Sequence, residues 1–148
     1  MATVLAAWLL VGCSALSPFQ KRTLGQFASQ EAVLERKAEQ ALEELRQAYM
    51  AGDLNGFFDD VSEGSYFNGS DLRINLSRRF TDFSDIELFF WIDHALVEGE
   101  KAVLRMHWQK RMTVNKTGRQ AISSGRADFI FQVQESARLL DVRGSSPF

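Results

Sequence analysis

Apolar residues recur every three or four positions through the first part of the chain, and this spacing predicts helices. The longest stripe predicts a helix that begins near Ser29 as its N-cap, with Glu31 in its first turn, and ends at Gly52. Its apolar positions are Leu34, Ala38, Ala41, Leu42, Leu45, Ala48 and Tyr49. Two shorter helices are predicted after it, over residues 54–58 and 70–80.

The spacing changes to every second position after Asp85, which predicts strands. Short polar turns separate these segments, so neighbouring strands should pair antiparallel as a meander. The predicted strands cover residues 86–96, 102–114, 127–133 and 139–142. We therefore predict one α+β domain with about three helices packed on an antiparallel sheet.

Alternation along each predicted strand assigns its side chains to two faces of the sheet. On the face toward the helices we expect Leu104, Met106, Trp108, Met112, Phe129, Phe131 and Val133. The first strand would add Ile86, Leu88, Phe90, Ile92 and His94 to this inner face. The neighbouring Asp93 would then point outward.

Composition fits one globular domain with a short leader, because the 148 residues are 45% hydrophobic and 24% charged. A formal net charge of −2 gives no general attraction for nucleic acid, and we expect no nucleic-acid partner. Residues 14–63 carry 5 basic and 9 acidic side chains, whereas residues 99–148 carry 9 basic and 4 acidic ones. We interpret this asymmetry as charge balance within one domain, and a preference for anionic partners is the alternative.

The leader is an uncharged stretch of apolar and small residues, residues 2–12. It is about half as long as the roughly 20 residues that a membrane-spanning helix needs, and it matches the apolar part of a signal peptide. It ends in Leu10-Val11-Gly12-Cys13, which holds the chain's single cysteine. This tetrapeptide resembles the lipobox of bacterial lipoproteins. A buried structural cysteine is the alternative interpretation.

The lipobox resemblance implies a location and an anchor. Residues 1–12 would be removed as a signal peptide, Cys13 would carry two or three acyl chains, and residues 13–28 would be a tether. Ser14, following the cysteine, resembles the sorting pattern of many outer-membrane lipoproteins. We therefore expect a protein of the bacterial cell envelope, anchored in the outer membrane and facing the periplasm.

Three helices, the first long, followed by a curved antiparallel sheet resemble the NTF2-like (cystatin-like α+β) superfamily. The likeness is carried by AYMAGDLNGFFDDVSE (48–63) and GRADFIFQVQESARLLDVRG (125–144), within residues 29–148. It implies a cone in which the helices pack on the concave side of the sheet and which often contains a pocket. It also implies that the outer face of the sheet often forms a dimer.

The cone would be the first candidate site, with an apolar small molecule as its ligand. The candidate pocket residues are Tyr49, Phe58, His94, Met106, Trp108 and Phe131. Enzymes of the superfamily that this chain resembles, such as ketosteroid isomerase and scytalone dehydratase, place Asp, His or Tyr in the cone, and here His94 would be the base. The alternatives are that these residues form an ordinary packed core and that His94 is structural.

The outer face of the sheet is the second candidate site, because large aromatic residues there alternate with charged ones. The candidate interface residues are Phe89, Trp91, Arg105, His107, Arg111 and Ile130. Such a mixture is typical of protein-binding surfaces, so we expect a homodimer or an envelope protein as partner. The alternative is that the N-terminal segment or a long loop covers Phe89 and Trp91.

Other chemistry has little support in the sequence. Two histidines are too few to form a typical metal site when the thiol is consumed by lipidation. The glycine-rich motifs of nucleotide-binding proteins are missing from the sequence. We therefore expect no cofactor and no metal, and we assign no catalytic residue beyond the hypothesis for His94. The first hypothesis is a lipid-anchored, non-enzymatic binding or interaction domain, and the second is an isomerase or dehydratase-type enzyme.

Overall fold

In the part of the chain that the structure describes, three helices precede four strands. The structure is a computed structural model that describes residues 18–63, 65 and 70–148, and the side chains of residues 30–63, 65 and 71–148. The helices are α1 (Pro18–Ala51), α2 (Leu54–Asp59) and α3 (Ser70–Asp82). The strands are β1 (Phe83–Glu98), β2 (Lys101–Val114), β3 (Arg119–Val133) and β4 (Ala137–Gly144).

Helix α1 begins earlier than the sequence pattern indicates. It starts at Pro18, whose fixed backbone angle suits the first turn of a helix. Residues 18–28, predicted as tether, are therefore helical, and the predicted start at Ser29 is wrong. The role of this segment as a connector stays a prediction. The predicted end is confirmed, because Gly52 follows α1 with a positive φ of 69°.

The four strands form one antiparallel meander in the order β1-β2-β3-β4, as predicted. Strands β1 and β2 are longer than expected, and β3 begins at Arg119, directly after the predicted hairpin. An isolated parallel bridge between Val61 and Leu139 ties the segment after α2 to the free edge of β4. The α+β class with helices on a curved antiparallel sheet is thus confirmed.

The core lies between the helices and one face of the sheet. Helix α1 presents a buried stripe at the predicted spacing, namely Ala38, Ala41, Leu42, Leu45 and Tyr49. The sheet contributes Leu104, Met106, Trp108, Phe129, Phe131 and Val133, each buried. Each fully buried large apolar side chain adds about 1.5–3 kcal/mol of stability. This face is the inner face predicted for β2 and β3.

Strand β1 departs from simple alternation at two register shifts, between Ser84 and Glu87 and between Ile92 and His94. At the second shift one extra residue of β1 is left unpaired, so that Ile92 pairs with Met106 whereas His94 pairs with Arg105. Such a bulge exchanges the faces of all later side chains. After the bulge, the side chains of the odd-numbered residues Ala95 and Val97 pack against the core. Unbroken alternation would have placed the even-numbered His94 and Leu96 there, but both are exposed.

Candidate functional site

The cone predicted as a pocket is filled by side chains. Tyr49, Met106, Trp108 and Phe131 have exposures of 1%, 0%, 5% and 0%, and they belong to one continuous apolar cluster. Phe58 is half-buried and packs against the same cluster. Five of the six candidate pocket residues are therefore brought together, but they pack as a core.

Phe148 completes the filling of the cone. Its ring lies 4.8 Å from the ring of Phe57, 5.2 Å from that of Tyr49 and 5.8 Å from that of Phe129, between centroids. All three contacts are edge-to-face, the arrangement that aromatic rings favour. The position of Phe148 could not be predicted from the sequence, because a short segment after the last strand has no periodicity to interpret.

Lys110 is a functional candidate that the sequence analysis missed. It is 2% exposed and faces the inside of the cone, between Trp108 and Met112 on β2. Its Nζ donates hydrogen bonds to the hydroxyl oxygen of Tyr49 (3.1 Å) and to the carbonyl oxygen of Pro147. The alternation on β2 was the available signal, since residue 110 falls on the inner face by the rule that places Trp108 there.

Burial changes the acid–base properties of this pair. Loss of hydration, with a smaller effect of the nearby positive charge of Arg79, lowers the pKa of Lys110 to about 8. Burial also raises the pKa of Tyr49, so its hydroxyl stays neutral at physiological pH. A buried amine beside a phenol can donate hydrogen bonds to an acceptor or, once deprotonated, act as a base.

The predicted position of His94 is wrong. Because of the bulge after Ile92, His94 pairs with Arg105 and is exposed on the outer face. The candidate base therefore lies on the opposite side of the sheet from the cone. The prediction failed because it assumed unbroken alternation along β1.

The outer face carries an exposed aromatic stack. The rings of Phe89 and Trp91 are 6.1 Å apart, and the ring of Trp91 is 5.1 Å from that of His107 at an interplanar angle of 8°. Phe89 and Trp91 are 39% and 45% exposed, so neither is covered by the described residues. We call Glu87, Phe89, Trp91, Asp93, His107 and Arg111 the outer patch.

Charged side chains contact the aromatic residues of this stack. The bulge places Asp93 beside His107, with 3.0 Å between its Oδ1 and the ring Nδ1. Arg111 lies over the ring of Phe89, at 5.8 Å from its centroid, and 3.9 Å from a carboxylate oxygen of Glu87. The patch therefore presents aromatic surface together with charges of both signs.

The two remaining candidate interface residues, Arg105 and Ile130, lie farther along the outer face. The guanidinium of Arg105 forms a two-point ion pair with Asp128, at 2.9 and 3.0 Å, and this pair lowers the pKa of the carboxyl group. Ile130 is only 8% exposed, between Val103 on β2 and Asp141 on β4. It therefore contributes little accessible surface, contrary to the expectation for an interface residue.

Trp91 also borders two open grooves. One, of about 490 Å³, lies between β1 and helix α1 and is lined by Glu43, Arg46 and Phe90, among others. The other, of about 450 Å³, runs past His107 toward Arg126 on β3. The most accessible aromatic residue of the outer patch thus stands between two concave surfaces, an arrangement that suits contact with another protein.

The lipobox residues Leu10, Val11, Gly12 and Cys13 lie outside the described residues. Within the described part of the chain, no helix is long and apolar enough to cross a membrane. Over the same residues, no group of three or more His, Cys, Asp or Glu side chains could hold a metal ion.

Comparisons with known proteins bear on the fold. No family model matches the sequence, and no curated protein matches it. Among solved structures, a conserved protein from Planctomyces limnophilus has a TM-score of 0.64 and 13% identity, over 72% of this chain and 94% of that one. An NTF2-like superfamily protein from Salmonella enterica serovar Typhimurium has a TM-score of 0.61 and 13% identity, over 79% and 93%.

A ketosteroid isomerase-like protein from Erwinia carotovora atroseptica is similar to the same extent. Its TM-score is 0.61 at 12% identity, over 76% of this chain and 97% of that one. At such low identity these likenesses establish the fold alone, since this fold carries different functions in different proteins. The described domain therefore has the NTF2-like fold.

Proposed function

We propose that this chain is a lipid-anchored protein of the bacterial cell envelope whose NTF2-like domain is a non-enzymatic interaction module. In this proposal Cys13 carries the lipid, residues 13–28 connect it to the domain, and the domain pairs with a second copy through the outer patch. The observation that supports it most is the contrast between the two faces of the sheet. The cone is filled, whereas the stack of Phe89, Trp91 and His107 is exposed.

Pairing with a second copy suits the charges of the outer patch. In a two-fold symmetric interface the same surface meets itself, so a patch that carries charges can be self-complementary when it contains groups of both signs. Glu87 and Asp93 supply carboxylates, and Arg111 supplies a guanidinium beside the aromatic stack. Burying Trp91 and Phe89 between two copies would remove apolar surface from water, and aromatic residues of this kind dominate binding energy in interfaces.

An isomerase or dehydratase-type enzyme is supported less well. That hypothesis required an open cone with His94 as its base. The cone residues Met106 and Phe131 are both 0% exposed, and His94 is on the outer face. An interaction module needs neither a cavity nor a base.

Sedimentation equilibrium of the purified chain in density-matched detergent tests the pairing. We expect a concentration-dependent dimer, and we expect Trp91→Ala to weaken it at least thirtyfold, the effect of losing about 2 kcal/mol at an interface hot spot. Ile74→Ala is the matched control, because Ile74 on α3 is similarly exposed at 48% but lies outside the outer patch. A chain that stays monomeric at the highest concentration, or a dimer that both variants weaken equally, would refute pairing through this patch.

The anchor is tested by the intact mass of the protein recovered from its native membrane fraction. We expect a chain that begins at Cys13 and carries acyl chains. Unmodified Cys13 preceded by residues 1–12 would contradict the anchor and the envelope location. The pairing experiment would keep its meaning in that case, because it does not depend on the lipid.

A further inference from the structure

Residues 145–148 form a strap that leaves the sheet and enters the cone. Gly144 makes the turn with a φ of 97°, and a Cβ there would lie 2.7 Å from the carbonyl oxygen of Arg126. Beyond it, the Ser145 amide donates to that same carbonyl at 2.9 Å. Pro147 and Phe148 are both buried. The strap is therefore held in a defined position inside the apolar cluster.

The cone offers hydrogen-bond donors to this strap. The indole N–H of Trp108 donates to the carbonyl oxygen of Ser145 at 2.7 Å. The carbonyl oxygen of Pro147 accepts from the ammonium group of Lys110, and the hydroxyl of Tyr49 lies 3.5 Å from it. These donors converge on one small region, and the acceptors that they meet are neutral oxygens.

The charge of this region favours an anion. Lys110 is buried, the hydrogen bonds that it makes go to neutral oxygens, and the positive charge of Arg79 is close enough to disfavour its ammonium form. A carboxylate in place of the Pro147 carbonyl would compensate one of these two positive charges, by pairing directly with the ammonium group of Lys110. A charge-assisted hydrogen bond of that kind is roughly twice as strong as one to a neutral acceptor.

The shape of the region favours an aromatic ring next to that anion. Phe148 fills a cage made by the rings of Tyr49, Phe57 and Phe129. In the covalent structure of the strap, three atoms separate the Pro147 carbonyl carbon from the Phe148 ring, namely N, Cα and Cβ. A free ligand with the same spacing between a carboxyl carbon and a phenyl ring is 4-phenylbutyrate.

We propose that the strap is an internal occupant of a binding site for aromatic carboxylates and that such a ligand displaces it. The carboxylate takes the position of the Pro147 carbonyl, against Lys110 and Tyr49. The ring takes the position of Phe148. This site lies on the other face of the sheet from the outer patch and is independent of pairing through it.

Isothermal titration of the purified chain with 4-phenylbutyrate tests the proposal. The strap competes with the ligand, so only molecules in which the strap is displaced can bind. The apparent dissociation constant of the intact chain is therefore the intrinsic one divided by the fraction of such molecules. Phe148→Ala removes the competing ring, and we expect the dissociation constant to fall at least tenfold. Phe89→Ala, which removes an exposed ring of the outer patch, is the matched control and should leave the dissociation constant unchanged.

Two ligands that each lack one recognised group test the chemistry. 4-Phenylbutan-1-ol lacks the carboxylate and butyrate lacks the ring, and both should bind Phe148→Ala at least tenfold more weakly than 4-phenylbutyrate. Adding Lys110→Met to Phe148→Ala should abolish the preference for the acid over the alcohol. In amide NMR spectra of the intact chain, 4-phenylbutyrate should shift the signals of Ser145, Ser146 and Phe148.

Several results would overturn the proposal. They are the absence of binding to the intact chain at millimolar 4-phenylbutyrate, equal binding of acid and alcohol, or equal affinities of the intact chain and Phe148→Ala. If Phe148→Ala does not fold, Phe148→Leu keeps a smaller side chain in the cage, and the same tightening is expected with it. Failure of that variant to bind more tightly than the intact chain would refute the competition.

Discussion

Replacing Phe148 with alanine tests whether the strap is part of the core. The side chain is 6% exposed and meets three rings edge-to-face. Burying a phenylalanine contributes about 1.5–3 kcal/mol, and each aromatic pair adds about 0.5–1.5 kcal/mol. The cage rings of Phe57 and Phe129 are 0% exposed and fixed by their own packing, so the hole can close only in part. We therefore expect Phe148→Ala to lower the free energy of unfolding by about 3–5 kcal/mol.

Urea denaturation followed by far-UV circular dichroism measures this loss. Phe89→Ala is the matched control, because it removes the same phenyl ring from a residue that is 39% exposed on the outer face. We expect the control to cost less than about 1 kcal/mol, since surface substitutions usually change stability little. Equal losses for the two variants, or a loss below about 1 kcal/mol for Phe148→Ala, would show that the ring is not held in the cone.

Two further predictions concern the surroundings of the strap. Lys110→Met should raise the Tm at pH 7, because the buried ammonium group of the wild-type chain has lost its hydration and destabilises the fold. The gain should shrink by pH 9.5. Lys110 has a pKa of about 8 in the folded chain and an ordinary value of 10.5, so the wild-type chain recovers stability as the pH rises between these values. A gain that is equal at both pH values in thermal melts would contradict this. Gly125→Ala should cost about 1–3 kcal/mol in urea denaturation, because its Cβ would lie 2.8 Å from both the Trp108 ring and the Ser145 side chain. An unchanged urea midpoint would show that Trp108 does not cross β3 at this glycine.

The fold could be predicted because its signals are periodic. The stripe through Leu45 and Tyr49 is long enough to identify α1, and the alternation through Met106 and Trp108 identifies β2 with its inner face. The order of elements then limits the ways in which helices can cover a meander. Helix α1 was predicted too short because residues 18–28 lack the apolar stripe from which helices are recognised.

The candidate site could be predicted only in part, and the errors have identifiable causes. His94 was misplaced because a bulge inserts one residue, and periodicity cannot show where alternation breaks. Lys110 was passed over because a charged residue is not expected in a core, although its position on β2 is internal. The strap could not be found because its contacts with Tyr49 and Trp108 are distant along the chain. Each error arises where tertiary structure overrides a local pattern.

The bulge in β1 determines which side chains of this strand lie on each face of the sheet. Without it, alternation would point His94 into the cone, and the unbroken register would pair Asp93 with Arg105 instead of leaving it beside His107. A single inserted residue therefore moves the imidazole of His94 from the inner face to the outer face, whereas Asp93 lies on the outer face with or without it. Strand β2 continues the same division, because Lys110 faces the strap while His107 and Arg111 face outward. The outer patch and the cone are thus separate surfaces of one sheet, and changes in one need not disturb the other.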